Sequence, residues 1–105
     1  MAGATVRQAV PWIKNAMRSR RYFLYEPHFP KRCAERQLNL DDVKNAIENL
    51  TKCEPYEGRA PTQGGTNWRV FGPSIDGDEI VVGVEAFEAE NELGQCVLLI
   101  TLFEV

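Results

Sequence analysis

Apolar side chains recur along this chain with two periods, and the change between them divides it. Val6, Val10, Ile13 and Met17 follow the i, i+4, i+7, i+11 spacing of one helix face. Pro11 falls inside that stripe. Proline has no N–H and its ring clashes with the preceding turn, so the helix is expected to kink or to begin there. The aromatic run Tyr22, Phe23, Leu24, Tyr25 reads as a short strand. Pro27 and Pro30 forbid a regular helix through both unless both fall in its first turn, which predicts a short helix over about 30–37. Asn39 is a good N-cap, Asp41 and Asp42 suit the positive end of a helix dipole, and Leu40, Val43, Ile47 and Leu50 form an apolar stripe. A helix from there to about residue 50 follows.

Beyond that point the period becomes two. A strand is expected over 52–57, held to an edge by Pro55. Gly, Pro and Thr make 58–66 a loop. Strands are expected over 67–72, 79–87 and 96–103, with turns at Asp76-Gly77-Asp78 and at 91–94. Short turns make these strands antiparallel. The predicted fold is α+β, with N-terminal helices on an antiparallel sheet of three to five strands. Trp68, Val82, Val84, Leu98 and Ile100 are its expected core residues.

Composition agrees with one globular domain: 105 residues, 44% hydrophobic and 26% charged. No run approaches the ~18 apolar residues of a membrane span, and the start of the chain has no secretory pattern, so a cytoplasmic protein without membrane attachment is expected. Cys33, Cys53 and Cys96 are widely spaced and odd in number, and His28 is the single histidine. They are read as half-buried free thiols, and neither a metal site nor another cofactor is expected.

Charge is uneven. Residues 1–36 hold eight bases and two acids, a net of +6; residues 37–105 hold four bases and thirteen acids, a net of −9. The stretch 76–92 has seven acids and no base. One face for a polyanion and another for a basic partner would explain this split, and so would solubility alone. Arg18, Arg20 and Arg21 end the first helix, where they could cap its dipole or meet phosphate.

Candidate chemistry concentrates in His28-Phe-Pro-Lys-Arg32-Cys-Ala-Glu35-Arg36. Arg32 and Arg36 are four apart and share a helix face, with His28 at or just before the helix start. A histidine can exchange a proton near neutral pH, and two guanidiniums can hold a phosphate by bidentate bonds. A Glu35 ion pair with Arg32 or Arg36, beside a capping histidine, is the structural alternative.

The pattern His28-xxx-Arg32-xx-Glu35-Arg36, followed by Leu40-Asp41-Asp42-Val43, Trp68-Arg69-Val70-Phe71-Gly72, Ile80-Val81-Val82 and Leu98-Leu99-Ile100-Thr101, resembles a bacterial family known as a domain of unknown function. That family is grouped with RelE-like and MqsR-like toxin folds. The resemblance spans roughly residues 22–105 and leaves 1–21 as an added helical segment. It implies helices on a curved, RelE-like antiparallel sheet, and metal-independent endoribonuclease activity of the kind found in toxin–antitoxin pairs. His28 would be the acid or base, and Arg32, Arg36 and Arg69 the phosphate clamps. Arg18, Arg20, Arg21, Tyr22 and Tyr25 would contact RNA, with Tyr22 or Tyr25 stacking a base. The implied partners are RNA or the ribosome and an antitoxin-like protein. The competing readings are a non-catalytic interaction domain using the acidic 76–92 hairpin, and a module whose histidine and arginines are structural.

Overall fold

The computed structural model describes residues 5–103. The first helix, α1 (Val6–Arg18), is started by a capping box: Thr5 Oγ1 accepts from the Gln8 N–H, and Gln8 Oε1 accepts from the Thr5 N–H at 2.9 Å. It runs without interruption through Pro11, where a kink or a start was expected. The carbonyl that loses its donor there belongs to Arg7. Both residues are exposed, so water can replace the missing bond. The buried face of α1 is Ala9, Ile13, Ala16 and Met17, while Val6 is out in solvent.

A short strand, β1 (Tyr22–Leu24), leads into α2 (His28–Glu35). Pro27 is the N-cap of α2 and Pro30 its third residue. Both prolines therefore sit where backbone N–H groups have no intrahelical acceptor, so the helix starts earlier than 30 and takes in His28. Then α3 (Leu40–Glu48) begins at a second capping box, Asn39 with Asp42. Asp42 also accepts the Ile75 N–H at 3.0 Å, tying α3 to a sheet turn.

The remaining strands are β2 (Lys52–Pro55), β3 (Thr66–Pro73), β4 (Glu79–Glu88) and β5 (Gln95–Phe103), in the sheet order β1-β5-β4-β3-β2. β2 to β5 form an antiparallel meander, and β1 joins the β5 edge in parallel. The sheet is thus mixed, where an antiparallel one was expected. A long connection through α2 and α3 separates β1 from the meander, so no tight turn dictates its direction.

All three helices lie on one face. Their apolar sides meet Trp68 and Val70 of β3, Ile80, Val82, Val84 and Ala86 of β4, and Val97, Leu99 and Leu102 of β5. α3 comes so close to β3 that a Cβ on Gly72 would stand 2.0 Å from the Ala46 carbonyl oxygen. Leu98 and Ile100 are buried, as expected, and belong to a second cluster with Phe87 and Cys96. Alternation turns them to the opposite face, which carries no helix among the described residues. No helix among the described residues is long and apolar enough to cross a membrane.

Candidate functional site

The helix-free face is shaped by a bulge and a loop. Across β4 and β5, Gly83 pairs with Thr101 but Val84 pairs with Leu99, which leaves Ile100 as an extra residue. A bulge of this kind re-aims side chains locally. Here Ile100 and Thr101 both line the same cavity. Gly83 must stay small beneath them, because a Cβ there would stand 2.9 Å from the Phe103 ring and 3.1 Å from the Thr101 methyl.

The loop 56–65 crosses this face on a buried anchor. Glu85 of β4 has no solvent exposure. Its Oε1 accepts from the Thr62 N–H at 2.9 Å and the Thr62 hydroxyl at 3.2 Å; its Oε2 accepts from the N–H groups of Gln63 and Gly65 at 2.8 and 2.9 Å. Four donors thus compensate the burial of one carboxylate. Asn67 Nδ2 adds a bond to the Arg59 carbonyl at 3.0 Å.

Between this loop, α2 and the end of β5 lies an open cavity of about 630 Å³. His28, Arg32, Arg59, Arg69, Tyr56 and Phe103 line it with the bulge residues, and among the described residues no carboxylate does. His28 is exposed, and its Nε2 shares a 3.0 Å hydrogen bond with Thr101 Oγ1. Arg32, one helical turn on, donates from Nη2 to the Leu102 carbonyl at 2.9 Å and pairs through Nη1 with Glu35 at 3.2 Å. The Arg59 guanidinium lies 5.0 Å from the centroid of the Tyr25 ring, which in turn meets His28 edge-on at 6.4 Å. Arg69 sits 5.6 Å from the Tyr56 ring and 5.8 Å from the Phe103 ring, and those rings meet edge-to-face at 5.0 Å. Its Nη2 pairs with Glu54 at 3.2 Å, while its Nε–H is buried without an acceptor among the described residues.

The structure therefore brings His28, Arg32 and Arg69 together, with Tyr25 at the rim. Arg36 is placed otherwise: it is the C-cap of α2, half-buried and not among the residues lining the cavity. Arg18 pairs with Glu48 of α3, its Nε donating at 2.8 Å, and this holds the Glu48 carboxyl below its usual range. Arg18 and Arg20 border a separate depression of 440 Å³ between α1 and α3. Arg21 donates from Nε to the Gln95 carbonyl at 2.8 Å. Tyr22 is half-buried against the helix-side core, beneath the Lys44 ammonium at 5.4 Å. The basic end of α1 and the His28 cavity are thus two places.

Arg59, Tyr56, Thr101 and Phe103 were not anticipated. Arg59 and Arg69 are the two arginines beyond residue 36, and both line the cavity. Cys33, Cys53 and Cys96 are free and buried. Burial, with the Asp42 charge, raises the Cys33 pKa; burial, with the Glu54 charge, pushes Cys53 up to about 11. At neutral pH both are protonated thiols, which are poor nucleophiles.

In comparisons with known proteins, no family model, no curated protein and no solved structure matches the chain.

Proposed function

We propose that the cavity binds single-stranded RNA and cleaves it without a metal, as a toxin-like endoribonuclease acting in the cytoplasm. The observation that carries this reading is the meeting of the single histidine with three arginines and three aromatic rings on one open face. Guanidiniums hold phosphates, aromatic faces stack unpaired bases, and a histidine exchanges protons. The resemblance of the His28-xxx-Arg32-xx-Glu35-Arg36 element to the RelE-like toxin group supports the same chemistry.

In the proposed reaction the RNA 2′-oxygen forms a bond to its own phosphorus while the bond from phosphorus to the 5′ oxygen breaks. His28 Nε2 takes the 2′ proton, water in the open cavity protonates the departing 5′ oxygen, the imidazolium gives its proton to the hydroxide so formed, and the products are a 2′,3′-cyclic phosphate and a 5′-hydroxyl. Arg32, Arg59 and Arg69 face the charge that builds on the phosphoryl oxygens. A second reading, a non-catalytic domain that binds an antitoxin-like or other protein, is favoured by the carboxylates already paired with Arg32 and Arg69.

Incubation with single-stranded RNA and with translating ribosomes separates the two. Cleavage should persist with chelator and disappear in His28→Ala. Arg69→Ala should slow it by roughly 10²–10³-fold, as for loss of one preorganised charge-stabilising donor. Protein that cleaves neither substrate, and whose expression does not slow growth of a bacterial host, would leave only the interaction-domain reading.

A further inference from the structure

The same sheet face carries a second depression beyond the loop. This groove of about 680 Å³ is formed by Phe23 of β1, Phe87 of β4, Leu98 of β5 and Leu93 of the β4–β5 turn, with Glu88 and Glu90 on its rim. Phe23 and Leu93 are large apolar side chains left 46% and 43% exposed. The Phe23 and Phe87 rings lie 6.2 Å apart, so the exposed ring continues a buried apolar surface. Glu88, Glu90 and the neighbouring Glu92 are exposed, and none makes an ion pair among the described residues. No base lines the groove among the described residues.

Apolar surface within an acidic rim selects its occupant by charge. Nucleic acid and anionic lipid are repelled, whereas an apolar side chain flanked by lysine or arginine gains on both counts. We propose that this groove docks a basic amphipathic segment of a partner protein. The site is separate from the His28 cavity and does not depend on catalysis there.

The test uses the full-length protein and two synthetic probes, an amphipathic peptide of leucine and lysine and a control with glutamate replacing lysine. Binding is followed by calorimetry, and its location by amide shifts. The lysine peptide should bind saturably, more weakly as salt rises, and shift the amides of Phe23, Phe87 and Leu93. Glu88→Lys with Glu90→Lys should cut affinity by about tenfold or more, because like charges would then face each other. Leu93→Ala, a change at an exposed turn that leaves the core intact, should also cost about tenfold through loss of an apolar anchor. His28→Ala should leave binding unchanged. No binding at low salt, equal binding of the glutamate peptide, shifts confined to the His28 cavity, or indifference to these substitutions would each overturn the proposal.

Discussion

The helix-free face has two ends built on one floor. At one end Arg32, Arg59 and Arg69 line a cavity that has no carboxylate among the described residues. At the other, Glu88 and Glu90 rim a groove that has no base among the described residues. The floor is shared: Ile100 lies under the first and Leu98, two residues earlier on β5, under the second. Backbone geometry therefore does not separate them. The loop 56–65 does, giving Tyr56 and Arg59 to the cationic end and Thr62 and Gln63 to the acidic end. A small sheet can thus offer opposite fields over neighbouring positions of one strand, provided that a wall between them is held rigidly.

The largest expected effects test the shared floor. Leu98→Ala and Ile100→Ala should each cost roughly 2–5 kcal/mol in denaturant unfolding, the range for truncating a buried aliphatic side chain. The exposures of these residues are 6% and 2%. A loss well below ~1 kcal/mol at both would mean that this face is a dressed surface and not a second core, and the two ends would lose their common support.

Next comes the wall. Glu85→Gln keeps the size of the side chain but turns an amide N–H₂ toward backbone donors that now share two carboxylate oxygens. The expected loss is about 1–3 kcal/mol, the cost of leaving a buried polar group unsatisfied. Hydrogen exchange should accelerate at Thr62, Gln63 and Gly65 before it does in β4. Unchanged exchange there would show that the carboxylate does not hold the loop.

Much of the fold was legible because it rests on local rules. The Asn39 cap, the period-two strands and the turns at 76–78 and 91–94 all lie within a few residues of their cause. The site was legible only in part. His28 and Arg32 share a helix, and alternation places Arg69 with Asn67 and Phe71, away from Trp68 and Val70. The same alternation separates Tyr22, packed on the helix-side core, from Tyr25 at the cavity rim. Arg59 and Glu85 were hidden for a different reason. One sits on a loop with no period, and the other occupies an outward strand position that is buried only because that loop folds back over it. The parallel pairing of β1 and the bulge at Ile100 depend on long-range register, which periodicity does not report.

The smallest expected effect decides which basic region meets RNA. Arg59 stacks on Tyr25 within reach of His28, whereas Arg20 borders the depression between α1 and α3. Each phosphate neutralised on a single strand contributes about −0.7 to the slope of log affinity against log salt, so three cavity arginines give a slope near roughly −2. Arg59→Gln should make that slope shallower by about 0.7, measured by anisotropy of a labelled single-stranded RNA. Arg20→Gln should leave it unchanged, since a charge outside the RNA path releases no counterion. The opposite result, a slope that responds to Arg20 and ignores Arg59, would move the RNA to the basic end of α1. His28 would then lie off its path, and the cationic end would be a scaffold of paired and stacked arginines with no bearing on catalysis.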